Sequence, residues 1–196
     1  MSSIEDCVKW RTTYGGSVGF IPTLGGLHEG HFSLIKSSKN TCDKTIVSIY
    51  LNPTQFAPDE DLESYPQTLA NDTTYLDKLG VDALFTPTTK QMYSTSKLLN
   101  NYSSPLFKRL EGGSRPHFFS GVTTIVAKLF DVVSPTHTFF GQKDAQQLLI
   151  IKNMIADLQY NILLISCPII RDENGLALSS RNNYLTAKQQ KEASRI

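Results

Sequence analysis

The chain has 196 residues, 40% of them hydrophobic and 19% charged, which is enough for one substantial core and is neither a disordered nor a membrane-embedded composition. A formal net charge of +1 offers no general field for polyanions and argues against a nucleic-acid partner. Cys7, Cys42 and Cys167 are odd in number, far apart and without a Cys-x-x-Cys pair, which argues against both a disulfide framework and a structural zinc site, and a reducing, cytoplasmic setting is expected. No apolar leader and no run of membrane-spanning length occurs, so no membrane partner is expected.

Along the chain, short apolar runs predict strands at residues 18–21, 46–51, 81–85, 137–140 and 162–167. They are apolar on successive residues, as in a parallel sheet covered by helices on both faces. Helical spacing predicts helices over 30–39, 68–79, 121–133 and 145–158; in the third, Val122, Ile125, Val126, Leu129, Phe130 and Val133 mark a core-facing stripe, and Ser134-Pro135 a stop. Residues 86–116 are rich in Ser, Thr and Asn and read as a long irregular excursion with room for one short helix. The alternation predicts an α/β, Rossmann-like parallel sheet. The last residues, 188–196, are strong helix formers with no stop behind them.

The first strand runs into Pro22-Thr23-Leu24-Gly25-Gly26-Leu27-His28-Glu29-Gly30-His31. Gly25-Gly26 lets the main chain approach a ligand without Cβ obstruction, and two histidines three apart at a helix start can point, with the free backbone N–H groups there, toward a phosphate. Further polar clusters follow the other strands, where open α/β sheets collect ligands. Asn52-Pro53-Thr54-Gln55-Phe56 carries two carboxamides suited to a substrate with a hydroxyl and a carboxylate. Gly141-Gln142-Lys143-Asp144-Ala145-Gln146-Gln147 opens a helix with a lysine where an anion would sit, Asp144 reading equally as an N-cap. Pro168-Ile169-Ile170-Arg171 leads to Gly175-Leu176-Ala177-Leu178-Ser179-Ser180-Arg181-Asn182, whose hydroxyls and guanidinium fit a triphosphate.

Together with Tyr65-Pro66, Glu111-Gly112, Arg115-Pro116, Gly121-Val122 and Lys128-Leu129-Phe130, these motifs resemble the pantothenate synthetase (pantoate–β-alanine ligase) family of His-x-Gly-His nucleotidyltransferases, from about Trp10 to Tyr184. Phe118-Phe119 resembles the fungal form, and Leu24, Gln67 and Ser94 depart from the methionine, arginine and proline usual in the family. The resemblance implies ATP-dependent condensation of pantoate with β-alanine through a pantoyl adenylate, with AMP and pyrophosphate released, Mg2+ as cofactor and a homodimer as the assembly. By the same resemblance His31, His28 and Lys143 are catalytic, His31 as proton donor. The ATP contacts fall on Leu24, Gly25, Gly26, Leu27, His28, Glu29, Gly30 and His31, on Gly141, Gln142, Lys143 and Asp144, on Ile170, and on Leu178, Ser179, Ser180 and Arg181. Gln55 meets pantoate and β-alanine, Gln147 meets pantoate, and no residue is assigned as a metal ligand or as base for the amine. Residues 1–185 are expected to form the catalytic domain and 186–196 the truncated start of a C-terminal lid domain that is otherwise absent. Two alternatives stand beside the ligase: another nucleotidyltransferase acting on a small phosphorylated acceptor, and a non-catalytic nucleotide-binding module.

Overall fold

The computed structural model describes residues 1–93 and 102–195. Five strands, β1 Val18–Thr23, β2 Lys44–Ile49, β3 Ala83–Phe85, β4 His137–Gly141 and β5 Leu163–Cys167, form one parallel sheet in the order β3-β2-β1-β4-β5. The chain leaves β1 toward β2 and β3 on one side and returns to β4 and β5 on the other, so a crevice opens at the carboxyl ends of β1 and β4, where ligands bind in such sheets. Among the described residues the α-helices are α1 Ile4–Thr12, α2 Glu29–Thr41, α3 Leu69–Lys78, α4 Thr89–Tyr93, α5 Glu111–Ser114, α6 Phe118–Val133, α7 Ala145–Asp157 and α8 Ala187–Ala193.

Alternate side chains of each central strand enter different cores, which is why these strands read as unbroken apolar runs. Val18 and Phe20 of β1 and Ile46 of β2 pack with α1, α6 and α7; Ile21 and Val47 pack with Phe32 and Ile35 of α2 and Leu76 of α3. The expected layers on both faces are therefore present. The edge strand β5 differs: Leu163 is 57% exposed, and among the described residues no further strand pairs with its outer edge. The stripe predicted on α6 is buried throughout, and Ser134 ends the helix in a left-handed conformation, φ 46°.

Helix α1 was not expected. Ser3 caps it by accepting from the Asp6 N–H, with Glu5 and Asp6 in its first turn, a start signal carried by polar residues and not by an apolar stripe. Among the described residues between 86 and 116, α4, a 3-10 turn at Pro105–Lys108 and α5 stand where one short helix was expected; residues 94–101 of that stretch, Ser94 among them, lie outside the described residues. Helix α8 begins with a reciprocal cap between Thr186 and Gln189.

Candidate active site

A cavity of about 250 Å³ lies over the carboxyl ends of the strands, walled by the loops after β1, β2, β4 and β5 and by α6. It brings together Leu24, His28, Gly30, His31, Gln55, Gly141, Lys143, Asp144, Gln147, Ile170, Leu178, Ser179, Ser180 and Arg181. Gly25, Glu29 and Gln142, also expected at the nucleotide, do not border it; Gly26 and Leu27 border a smaller adjoining pocket with Ser179 and Ser180.

The turn after β1 is built differently from the expected phosphate cradle. Gly25 and Gly26 take φ of 93° and 63°, which favours glycine at both positions. Their conformation turns the N–H groups of Gly26 and Leu27 onto the carboxylate of Asp72 in α3, each at 3.0 Å, with Thr68 Oγ1 donating to the same carboxylate at 3.1 Å. Asp72 is buried, so the turn already holds an anion of its own. The next N–H groups are also taken: Gly30 donates to His28 Nδ1 at 3.1 Å and His28 donates to His31 Nδ1 at 3.3 Å, a capping box made by the two imidazoles. Free backbone donors at Gly26, Leu27, His28 and Gly30 are therefore not what the site presents. The anchor, Asp72, sits inside a stretch recognised from sequence only as helix.

What the histidines present follows from those bonds. A neutral imidazole whose Nδ1 accepts carries its proton on Nε2, so each ring offers one Nε2–H donor away from the backbone. Burial pushes both imidazoles below the ordinary value of 6.5, with the Lys143 ammonium adding to the effect; His31 falls to about 3, its neighbour His28 contributing as well. The ring centroids are 4.2 Å apart. This is a pair of neutral donors, with no imidazolium near neutral pH.

The carboxamide end of the cavity is organised by buried bonds. Asn52 Nδ2 donates to Gln55 Oε1 at 3.3 Å and to the Gly121 carbonyl at 3.2 Å, and Tyr93 OH donates to Asn52 Oδ1 at 2.8 Å. The Gln55 oxygen is thereby engaged from behind, which leaves its NH2 group to face the cavity. Lys128, fully buried, donates from Nζ to the Met92 carbonyl and lies 4.1 Å from the centroid of the Tyr93 ring, holding α4 in place; burial lowers its pKa. Tyr93 was not read as a site residue, and Lys128 entered only as part of a family motif.

Gln142, Lys143 and Asp144 form a 3-10 turn ahead of α7; Asp144 occupies the cap position without a capping bond and pairs with Lys143 Nζ at 3.2 Å instead. Beyond β5, a hairpin-like loop bridges Arg171 to Ala177, turns at Gly175 with φ 88°, and returns Leu178 beside Ile170 through a 2.9 Å backbone bond. Ser179 caps the following 3-10 turn by accepting from the Arg181 N–H, and Ser180 Oγ lies 2.9 Å from Tyr65 OH. Arg115 also lines the cavity, against the Phe118 ring at 3.8 Å. Among the described residues, no three His, Cys, Asp or Glu side chains gather closely enough to hold a metal ion, and no helix is long and apolar enough to cross a membrane.

A parallel sheet with a cavity at its switch point, lined by paired histidines, a lysine and a serine-arginine loop, defines an α/β protein of the nucleotidyltransferase type. The family model described as Pantoate-beta-alanine ligase matches residues 1–196, and the chain belongs to that family. The pantothenate synthetase of Acinetobacter baumannii is 49% identical over 177 residues, 90% of this chain and 63% of its own length. That of Acetivibrio thermocellus is 45% identical over 193 residues, 98% of this chain and 69% of its own. The crystal structure of the Francisella tularensis pantoate-beta-alanine ligase complexed with beta-gamma ATP and beta-alanine superimposes with a TM-score of 0.93 at 40% identity, covering 100% of this chain and 76% of that one. The chain thus spans about 63% of the length of the first of these relatives.

Proposed function

We propose that this chain carries the adenylating site of a pantoate–β-alanine ligase: pantoate and ATP give pantoyl adenylate and pyrophosphate, and β-alanine then gives pantothenate and AMP. The observation that carries the reading is the convergence of His28, His31, Lys143 and Arg181 with Gln55 and Gln147 on one cavity. The complex of the Francisella tularensis relative with beta-gamma ATP and beta-alanine supports it.

In the first step a pantoate carboxylate oxygen attacks the α-phosphorus, the bond to the bridging oxygen breaks, and pyrophosphate leaves with the electron pair. Negative charge grows on the phosphoryl oxygens, and the Nε2–H groups of His28 and His31 are the neutral donors for it. With burial lowering its basicity, His31 meets the nucleotide as a neutral hydrogen-bond donor, and a bound polyphosphate would raise its proton affinity toward the proton-donor role that the resemblance implies. Each charge-assisted bond contributes about 1.5–3 kcal/mol, so two imidazoles do not suffice for a triphosphate, and Lys143, Arg181 and the Ser179-Ser180 hydroxyls complete the set. Gln55 and Gln147 hold the acid beside the nucleotide, which removes its translational freedom before any bond changes. In the second step the unprotonated amine of β-alanine attacks the acyl carbon, the bond from that carbon to the phosphate oxygen breaks, AMP leaves with the electron pair, and the proton of the new amide nitrogen passes to solvent.

Magnesium rests on the resemblance: the two carboxylates of the cavity lining are paired, Asp144 with Lys143 and Glu111 with Arg115, so the ion would take phosphate and water as most of its ligands, with Asp144 or Glu111 adding at most one. When bound it neutralises charge on the departing pyrophosphate. The homodimer and the fungal character of Phe118-Phe119 rest on the resemblance, and sedimentation of the purified chain tests the first.

The deciding experiment incubates the chain with Mg-ATP and pantoate, with and without β-alanine, and follows pyrophosphate, AMP and pantothenate. His31→Ala and Lys143→Ala each reduce pyrophosphate release at least about a hundredfold, whereas His31→Asn, which keeps a donor, retains more than His31→Ala. Near-normal rates in both alanine variants refute the assignment.

A further inference from the structure

Arg181 is held by another part of the chain. Its Nε and Nη2 donate to Asp61 Oδ2 and Oδ1, both at 2.8 Å, the same two-point grip a guanidinium gives a phosphate. Tyr184 OH adds a 3.1 Å bond to Asp61 Oδ2. Asp61 sits on the loop of residues 57–64, and its neighbour Glu60 grips Arg115 in the same way, at 2.6 Å through both Nε and Nη2. Glu111 adds a second carboxylate to Arg115 at 2.9 Å, and Lys143 has Asp144. Every Lys and Arg lining the cavity, among the described residues, therefore faces a carboxylate, and the cavity mouth has no surplus of positive charge.

A polyphosphate brought to Arg181 with Asp61 still in place would meet that carboxylate at close range, where repulsion offsets the attraction of the guanidinium. The pair is also exchangeable: the side chains of Arg181 and Asp61 are 44% and 22% exposed, and ion pairs open to solvent hold their partners weakly. We propose that Asp61 is the resident counter-ion of Arg181 and that polyphosphate binds by exchange, taking the Nε–Nη2 edge of the guanidinium while the 57–64 loop comes off the cavity mouth. No covalent step is involved. The exchange rests on the nucleotide reading above, and it reverses the expectation for an acidic residue in contact with a binding arginine: removing it strengthens binding.

The test is calorimetric titration of the 196-residue chain with Mg-ATP and, separately, with inorganic tripolyphosphate. The proteins are wild type, Asp61→Asn, Arg181→Ala, the double variant, and Asp59→Asn as a control for the general field, Asp59 being exposed on the same loop. Asp61→Asn tightens both ligands about tenfold and Asp59→Asn less than about twofold. Arg181→Ala weakens binding more in the Asp61→Asn background than in wild type, because the arginine there no longer exchanges one anion for another. Unchanged or weaker binding by Asp61→Asn, or a smaller loss from Arg181→Ala in its background, marks Asp61 as a support that orients the arginine and overturns the exchange alone. Failure of every protein to bind either ligand overturns the nucleotide reading and the exchange with it.

Discussion

Replacement of Asp72 tests how the Gly-rich turn is held. Its carboxylate accepts two backbone N–H groups at 3.0 Å and one hydroxyl at 3.1 Å in a buried position. Hydrogen bonds to a charged group contribute about 1.5–3 kcal/mol each, and a buried donor left without a partner costs about 1–3 kcal/mol. Asp72→Ala orphans both N–H groups and is expected to lose about 3–6 kcal/mol, a large part of the roughly 5–15 kcal/mol that separates folded from unfolded domains. Asp72→Asn is the sharper probe: it keeps the shape but turns an NH2 toward one of the two N–H groups, for a loss of about 1.5–3 kcal/mol. The His28 cap follows directly after the turn, so the same variant shifts the nitrogen resonances of His28 and His31 and weakens Mg-ATP binding about tenfold. Urea unfolding, imidazole nitrogen NMR and titration with Mg-ATP read the three effects. An Asp72→Asn protein within about 0.5 kcal/mol of wild type and with unaltered imidazole signals would refute the reasoning.

At Gly121 an added Cβ would stand 2.5 Å from the Thr54 carbonyl oxygen and 2.8 Å from Gln55 Cα, so Gly121→Ala is expected to cost about 1–3 kcal/mol in thermal unfolding and to disturb Gln55. Gly113→Ala, whose Cβ meets only the Lys108 carbonyl at 3.5 Å, is the control and stays close to wild type. The histidines give a pH signature. His31 titrates near 3 in the folded chain against 6.5 as its ordinary value, so between those limits the unfolded chain binds more protons and stability falls as pH is lowered from about 6.5. Asp43, Glu60, Asp61 and Asp82 are shifted in the same destabilising sense on acidification but titrate lower, from ordinary values of 3.8 to 4.5, so the window from about pH 5 to 6.5 belongs to the histidines. His31→Asn flattens the pH dependence of the urea midpoint there; an unaltered slope contradicts it.

The strands were legible because each central strand is apolar on both faces, and all five fall within about two residues of the predicted runs. The polar clusters after β1, β2, β4 and β5 were legible for a related reason: they interrupt those runs where a parallel sheet gathers its ligands. Most of the expected contacts meet at one cavity accordingly. What did not show was the partner of each polar group. Asp72, Tyr93, Glu60 and Asp61 look like ordinary helix or loop residues, and each acquires its role from a group 41 to 120 residues away. Local periodicity reports which face of an element is buried, and it carries no record of which distant donor a carboxylate will meet.

The amino-acid sequence by itself therefore determined the strand-helix order, the two-sided burial of the sheet and the set of loops that carry polar chemistry, because these depend on side-chain type at short spacing. The tertiary structure alone decided how those loops are used. Packing α3 against the first turn fills its N–H groups with Asp72, the imidazoles are left presenting Nε2–H, and Arg181 reaches the cavity mouth paired with Asp61. Each outcome is a competition among donors and acceptors for the same few partners, and only the folded chain brings the competitors within hydrogen-bonding distance.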